Sequence, residues 1–199
     1  MRGLLRALLA SLVAIVVLTV VLGFGYPAVM TGIAQVTMSH QADGSLIERN
    51  GVVVGSSLAA QPFTSSKYFH ERPSATTPPW NPAFTTFSNL GPTNPALATL
   101  VKQNADAILK LEGPYNPGLT IHQIPVDAVV PSGSGIDPEI SIAYADLQER
   151  RISAVRHLPL TTVQQLIKQH TVGRQLDWFG EPGVNVLDLN LALDQLGAK

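Results

Sequence analysis

A glycine- and serine-rich loop is the part of this sequence whose residue types come closest to reactive machinery. The run Ser132-Gly133-Ser134-Gly135 precedes Asp137, and consecutive glycine and serine residues can present backbone N–H groups to an anion or a substrate oxygen. A histidine close to Ser134 and Asp137 would suggest a hydrolase, although the nucleophile-elbow pattern G-x-S-x-G is not met. The simpler interpretation is a tight loop in which Asp137 leads into a helix that begins near Ser141.

The other familiar catalytic and metal-binding motifs are absent from the sequence. It contains neither a phosphate-binding G-x-x-x-x-G-K-[ST] loop nor a dinucleotide G-x-G-x-x-G after a strand. His70-Glu71 begins like a zinc-protease helix, but Pro73 and Ser74 follow, so the second histidine is missing. The histidines lack ligand spacing, and we expect surface or capping roles for all five: His40, His70, His122, His157 and His170.

The first structural element that the sequence predicts is a long apolar segment near the N-terminus. No Asp, Glu, Lys or Arg stands between Arg6 and Asp43, and a bilayer core needs about 20 apolar residues in a helix. Because Arg2 and Arg6 lie ahead of it, the positive-inside rule predicts a cytoplasmic N-terminus. The predicted division is cytoplasmic residues 1–6, a transmembrane helix over 7–30 and an extracytoplasmic domain over 31–199. A cleaved signal peptide is the competing interpretation, although the apolar run exceeds a signal core.

Composition excludes several kinds of binding by the predicted head, which is the part of the chain that follows the apolar helix. The formal net charge of the chain is −1, and without Arg2 and Arg6 the head has 11 basic residues against 14 acidic ones. That balance offers no basic footprint for nucleic acid and no polybasic strip for anionic lipid. The sequence has no cysteine, which excludes disulfides and cysteine-ligated metals.

Two segments at the start of the head have distinct patterns. Asn50-Gly51 lies between two strand-like runs and predicts a β-hairpin, because both residues tolerate positive φ. Residues 61–95 contain seven prolines among six aromatic residues, which predicts an ordered, irregular segment packed down by its rings. This segment motivates a further alternative, a binding module for an envelope ligand that exposes Trp80 and Phe84.

Helical spacing predicts three helices in the rest of the head. The first runs from an Asn94 cap to Gly113, the second begins near Ser141, and the third runs from a Thr161/Thr162 cap to His170. The polar residues of the second helix predict a solvated face: Asp146, Gln148, Glu149, Arg150 and Arg151.

Short apolar runs complete the prediction for the head. Residues 126–130 predict a short buried strand. The tail, residues 184–196, fits either a strand followed by a helix or one helix, which periodicity cannot separate. The predicted fold class is therefore α+β with few strands, preceded by a single N-terminal transmembrane helix.

Several sequence blocks in order, spanning the whole chain, resemble the C-subunit family of the Kdp potassium-transporting P-type ATPases. The blocks are Tyr68-Phe69-His70 with Arg72-Pro73-Ser74-Ala75, residues 88–94, residues 132–141, His170-Thr171 with Gly173-Arg174, and residues 180–194. The resemblance implies partner-contact or motif roles for these candidates: Tyr68, Phe69, His70, Arg72, Ser88, Asn89, Gly91, Asn94, Ser132, Gly133, Ser134, Gly135, Asp137, Arg174, Glu181, Asn185 and Asn190. The chain departs from the family pattern at Glu71, Glu139, Asp177 and Gly183.

The resemblance also implies a function. It implies a non-catalytic subunit in the bacterial inner membrane, joined to a channel-like potassium-binding subunit and an ATP-hydrolysing subunit. Such a subunit supports assembly and acts as a catalytic chaperone that raises the ATP affinity of the pump. The D-K-T-G phosphorylation motif is absent here, so phosphoryl chemistry is expected on another chain. ATP and potassium would be handled by the complex, with no cofactor bound directly by this chain.

Overall fold

The computed structural model describes residues 2–197, which form two compact units that divide after Leu46. The first unit is dominated by a 36-residue apolar helix, Arg2–Thr37, long and apolar enough to cross a membrane. At 1.5 Å per residue this helix is about 54 Å long, well beyond a bilayer core. The predicted span over 7–30 lies within the helix, which continues past it at both ends. A short helix α3, Ser39–Ala42, follows.

The apolar helix changes its hydrogen-bond register in the middle. Helix α1, Arg2–Leu18, passes into a π-helical segment, Thr19–Gly25, and then into α2, Tyr26–Thr37. The N–H of Tyr26 bonds to the carbonyl of Val21, five residues earlier. Pro27 comes next, and a proline ring in a helix lacks an N–H and clashes with the carbonyl four residues before it. The wide turn therefore accommodates Pro27 without breaking the helix.

The head begins with the predicted hairpin. Strand β1, Leu46–Arg49, pairs with β2, Val52–Ser56. The turn residues Asn50 and Gly51 have φ values of 53° and 75°, as the sequence predicted. From residue 60 to 94 the backbone contains no helix or strand, which confirms the irregular segment.

The predicted first helix is confirmed, and the strand predicted before the second is wrong. Helix α4, Pro95–Glu112, begins where the Asn94 side chain accepts a 2.9 Å hydrogen bond from the N–H of Ala96. A 3₁₀ turn, Ile121–Gln123, follows. Residues 126–129 then form a single helical turn, α5, Val126–Val129, directly after Pro125. A run of apolar residues this short does not distinguish a strand from a buried helical turn.

A small antiparallel sheet and three helices build the rest of the head. Strand β3, Glu139–Ser141, and strand β4, Thr171–Val172, both pair with the central strand β5, Gly183–Asn185. The helices are α6, Ile142–Arg156, α7, Leu160–Gln169, and α8, Val186–Leu196. The α+β class with few strands is confirmed.

Local capping explains two of these helix starts and corrects a third. The Ser141 hydroxyl accepts a 3.0 Å hydrogen bond from the N–H of Tyr144 and so caps α6, which confirms the predicted helix start near Ser141. Asn185 ends β5 and caps α8, which resolves the tail as a strand followed by a helix. Helix α7 begins at Leu160 after Pro159, so the threonine cap predicted at Thr161/Thr162 is wrong. A proline just outside a helix already fixes its entry, and the threonines fall inside the first turn.

The core of the head lies between the sheet and helices α4 to α8. Its buried hydrophobic cluster is Phe69, Ala105, Ile108, Ala128, Val129, Ile140, Tyr144, Ala145, Ile152, Val163, Leu166, Ile167, Val184, Val186, Leu189 and Leu193. Phe69 is the only residue of the irregular segment that belongs to this buried cluster of the described residues. The expectation that rings would pack the whole segment down is therefore partly wrong, since Phe84 is 71% exposed and Phe87 55%.

The polar face predicted for α6 is wrong at its two most consequential positions. Gln148 and Arg151 have no solvent exposure, whereas Arg150 is exposed. The Nε atom of Arg151 lies 2.8 Å from Oε1 of Glu112, and both of these side chains are fully buried. Replacing one member of a buried ion pair is strongly destabilising, because the other charge then remains buried without a partner.

We expect Arg151→Met to destabilise the head by about 3–5 kcal/mol, because it strands the Glu112 carboxylate and several carbonyls. Arg151→Met combined with Glu112→Leu should recover part of that loss, since neither charge then remains buried. Thermal unfolding of the full chain in detergent measures both effects. Arg150→Met, the same change on the neighbouring exposed arginine, is the matched control. Equal melting temperatures for the Arg150 and Arg151 variants would contradict this assignment.

Candidate functional site

Arg151 is the centre of a buried hydrogen-bond network. Its NH1 atom donates to the carbonyl of Tyr68 at 2.9 Å and also to the carbonyl of Ser66. Its NH2 atom donates to Oε1 of Gln148 at 2.8 Å. With the bond from Nε to Glu112, all three nitrogens of the guanidinium donate hydrogen bonds. Arg151 therefore ties helices α4 and α6 to the irregular segment, at the point where the family block that begins with Tyr68 starts.

Two side-chain amides hold the next residues of that segment. The backbone N–H of Phe69 donates to Oδ1 of Asn190 at 2.8 Å, and Nδ2 of Asn190 donates back to the Phe69 carbonyl at 2.9 Å. His70 has the same reciprocal arrangement with Gln148, at 2.8 and 3.2 Å. The two amides imitate the pairing of a neighbouring strand, so an irregular backbone is held as firmly as a sheet.

The phenol of Tyr68 extends this arrangement to the surface of α8. Its hydroxyl donates to Oδ2 of Asp194 at 2.9 Å, and Oδ1 of Asp194 accepts from Arg156 at 2.8 Å. The Arg156 guanidinium also lies 4.8 Å from the centroid of the Tyr68 ring, within cation–π range. Asp194 and Arg156 thus fix the orientation of this half-buried ring.

A second group of predicted residues clamps the serine-rich loop. Arg72 and Asp137 form a 2.9 Å ion pair. The Ser74 hydroxyl donates to the carbonyl of Gly135 at 2.6 Å, and Ser132 Oγ accepts from the Gly135 N–H at 2.8 Å. Gly135 has a φ of +75°, and a Cβ there would lie 2.6 Å from a Thr76 methyl carbon. Only glycine fits, so the loop is built for close backbone packing.

The Ser134 side chain does not have the surroundings of a nucleophile. Within residues 2–197 its hydroxyl makes one hydrogen bond, accepting from the backbone N–H of Ile136 at 3.2 Å. No histidine side chain bonds to it. The residue and its neighbour Gly133 are exposed. The general base that the hydrolase alternative requires is therefore missing from the described residues, and the tight-loop interpretation fits the geometry.

The remaining predicted residues take no part in the hydrogen bonds of these two groups. Ser88, Asn89, Gly91 and Asn94 lie on the approach to α4, where Asn89 has a φ of +54°. Arg174 and Glu181 form an exposed 2.7 Å ion pair. Asn185 donates to the carbonyl of Ser57 at 2.9 Å. The seventeen candidates therefore do not converge on one catalytic centre.

Histidine, aspartate and glutamate side chains do not gather into a metal site. In the part of the chain that the structure describes, no group of three or more of them could hold a metal ion. His70 lies nearest the buried network, where its Nε2 is 3.0 Å from the carbonyl of Ser65. Burial lowers the pKa of His70, and the nearby charge of Arg151 lowers it further. The imidazole is thus suited to a neutral, structural role.

Two departures from the family pattern prove to be neighbours across the sheet. A Cβ on Gly183 would lie 2.7 Å from Oε2 of Glu139. The Glu139 side chain therefore occupies the space that any larger residue at position 183 would need. Burial raises the pKa of Glu139, and the charge of Asp137 adds to the rise. Glycine at 183 and glutamate at 139 are thus sterically linked in this chain.

Glu71, the third departure from the family pattern, is a buried carboxyl with few hydrogen-bond partners. It is 4% exposed, and Oε1 accepts only a long 3.4 Å hydrogen bond from the N–H of Gln61. Oε2 has no hydrogen-bond partner among the described residues. Burial raises the pKa of Glu71 well above its ordinary value, and the negative charge of Asp137 acts in the same direction. The neutral form is therefore favoured in the folded protein.

Sequence reasoning missed the residues that organise the site. Glu112, Gln148 and Arg151 are polar, and each was passed over or assigned to solvent. One signal could have found two of them: Tyr144, Gln148 and Arg151 follow each other at helical spacing, on the side of α6 that also carries Ile152. Polar residues at the same helical spacing as core residues indicate that their side chains are buried and hydrogen-bonded to other parts of the chain.

Comparisons with known proteins give one consistent result. The family model for KdpC, described as the c chain of K⁺-transporting ATPase, matches residues 8–195. A potassium-transporting ATPase KdpC subunit of Sorangium cellulosum is 50% identical over 185 residues, covering 92% of this chain and 95% of the relative. Its counterpart in Herpetosiphon aurantiacus is 51% identical, covering 94% of each chain. The counterpart in Mycobacterium tuberculosis is 44% identical, covering 96% of this chain and 99% of its own.

The raised pKa of Glu71 predicts a pH-dependent stability. Between the unfolded-state and folded-state pKa values the folded chain retains a proton that the unfolded chain has released. The contribution of Glu71 to stability is therefore greatest in acid and is lost as pH rises towards the folded-state pKa. Glu71→Gln removes the titration. The melting temperature of this variant, relative to the parent, should therefore increase between about pH 5 and about pH 8, with each unit of pKa rise worth about 1.4 kcal/mol.

Glu48→Gln, which changes an exposed glutamate of β1, is the control for this experiment. Its melting temperature relative to the parent should stay constant across the same pH range. A Glu71→Gln difference that is also constant with pH would show that Glu71 titrates alike in folded and unfolded chains.

Proposed function

This chain belongs to the KdpC family, the c chain of K⁺-transporting ATPases, and we propose that it serves the complex as a non-catalytic accessory subunit. In this role it supports assembly of a channel-like potassium-binding subunit with an ATP-hydrolysing subunit. It also raises the ATP affinity of the pump, as a catalytic chaperone. The observation that carries the proposal is that several polar residues of the family blocks, among them Arg72, Ser132 and Asn190, are engaged in holding the head's own structure.

The engagement of these residues is specific. Asn190, in the last block, satisfies both backbone groups of Phe69, and Gln148, which lies outside the blocks, satisfies both backbone groups of His70. Arg72 is paired with Asp137, and Ser132 caps the turn at Gly135. Side chains that already serve as backbone partners are poor candidates for acid–base or nucleophilic work. They suit a rigid head whose shape is what partners recognise.

The apolar helix supports a role inside a membrane complex. None of the residues of α1, the π segment or α2 is buried within the chain, so their apolar surface requires lipid or partner helices. The helix interior carries no ionisable side chain, so it offers no ion relay of its own. We expect it to cross the bacterial inner membrane once, with residues 1–6 in the cytoplasm and the head outside.

The expected topology constrains how ATP affinity could change. A head outside the membrane is separated from cytoplasmic ATP, so a direct nucleotide site on it would be out of reach. A subunit that binds one conformation of the pump more tightly changes ligand affinity through coupling, typically by about 1–3 kcal/mol. Packing of the apolar helix against partner helices gives a physical route for this preference.

Removal of this chain tests the proposal. Membranes that contain the other subunits without it should show little potassium-stimulated ATP hydrolysis. Where a partial complex survives, its KM for ATP should be higher by about 5- to 150-fold, the range of typical coupling energies. Unchanged potassium uptake and an unchanged KM in the deletion strain would refute the accessory role.

Ser134→Ala separates this proposal from the hydrolase alternative. The hydroxyl bonds only to the N–H of Ile136 among the described residues, so its loss should leave the KM for ATP and the potassium uptake of the complex near the parent values. Abolished function in a variant that still assembles would favour a nucleophile at this position instead.

A further inference from the structure

A cavity of about 290 Å³ lies beside the irregular segment, at its junction with helices α4 and α6. Three aromatic side chains line it, Phe63, Trp80 and Tyr144, together with aliphatic groups that include Pro73 and Ile108. Cavities that hold small molecules are typically apolar with a few polar groups that fix orientation, and this volume is at the small end of their range. Arg151 itself does not line the cavity, and its network touches the lining only through His70, whose backbone Gln148 holds.

One buried acid supplies the polar element of this cavity. Glu71 lines it, is 96% buried, and has in Oε2 an acceptor that no described residue satisfies. Two other polar side chains of the lining already have partners, since Nδ2 of Asn104 donates to the carbonyl of Val129 at 2.8 Å and His70 Nε2 contacts the carbonyl of Ser65. A buried acceptor without a donor is costly, and a ligand that brings a donor would relieve the cost.

We propose that this cavity binds a primary ammonium group carried on a short apolar stem. Binding would release to solvent the proton that burial favours on Glu71 in the empty cavity. The N–H donors of the ammonium would then bond to Oε2 of Glu71, and its positive charge would offset the carboxylate. The stem would lie against the rings of Phe63 and Trp80, where an ammonium also gains from the negative faces of aromatic rings. The lining thus matches both ends of such a ligand.

The same lining argues against an inorganic cation. Hard metal ions such as Ca²⁺ take six to eight oxygen ligands, whereas this cavity offers one acidic side chain among mostly carbon atoms. An uncharged apolar ligand would leave Oε2 of Glu71 without a donor. A carboxylate ligand would place two acids together. The ammonium is the class that satisfies the buried acid.

Trp80 makes the proposal directly measurable. The chain has two tryptophans, so Trp178→Phe leaves Trp80, in the cavity wall, as the only indole reporter. Titration of this full-length protein in detergent with 2-phenylethylammonium should change the Trp80 emission in a saturable manner. In Glu71→Gln the dissociation constant should rise at least about tenfold, the effect of about 1.4 kcal/mol of lost interaction. Glu48→Gln, an exposed carboxyl removed elsewhere, should bind like the parent.

Two comparisons keep the test decisive. 2-Phenylethanol, which has the same stem without the charge, should bind far more weakly than the ammonium. Ala107 is exposed and lines the cavity, so Ala107→Phe should obstruct the cavity and abolish binding even if Glu71→Gln fails to fold. No saturable response, equal binding by the alcohol, or parental affinity in a folded Glu71→Gln protein would overturn the proposal.

The ammonium group could belong to a free amine or to a lysine side chain, and a second probe distinguishes them. Nα-acetyl-lysine amide carries the same group on a longer stem with a peptide-like end. Tighter binding of the lysine probe than of 2-phenylethylammonium would assign the cavity to a lysine of a protein, whereas tighter binding of the simple amine would assign it to a small molecule. Either result supports the ammonium chemistry.

Discussion

The head depends on a guanidinium placed where no solvent reaches it. Arg151 contacts Glu112 on α4, Gln148 on its own helix and two carbonyls of the irregular segment. Residues 60–94 have no helix or strand to pair their backbone groups, and buried backbone groups must be paired. Side chains therefore take over the role of a neighbouring strand. The cost of burying a charge is offset only because all of these partners are present together.

This constraint explains which parts of the fold could be predicted. The hairpin at Asn50-Gly51, the cap at Asn94 and the helix start near Ser141 were predicted correctly, because each depends on residues adjacent in sequence. The buried roles of Gln148 and Arg151 were not, because their partners lie 39 to 85 residues away. Pattern rules assign a charged residue to solvent unless its partner is known.

The candidate site shows the same division. The family blocks singled out residues of the head, but not what those residues contact. Phe69 and His70 prove to be held by Asn190 and Gln148, of which the second was assigned to solvent, and Tyr68 by Arg151 and Asp194. Glu71 and Glu139 stood out only as departures. Their burial, and the room that Gly183 leaves for Glu139, become visible only when the strands are paired. Spacing in sequence carries no information on such contacts between distant segments.

A rigid head on an apolar helix can influence a pump only through differential binding, and such coupling is reciprocal. If this chain raises the affinity of its complex for ATP by some factor, ATP must tighten the binding of this chain to the complex by the same factor. The affinity of the chain for the other subunits, measured with and without a non-hydrolysable ATP analogue, tests this most directly. The account predicts equal factors and no nucleotide binding by the isolated chain. A nucleotide that binds the isolated chain, or an ATP effect on the pump without a matching change in subunit affinity, would contradict it.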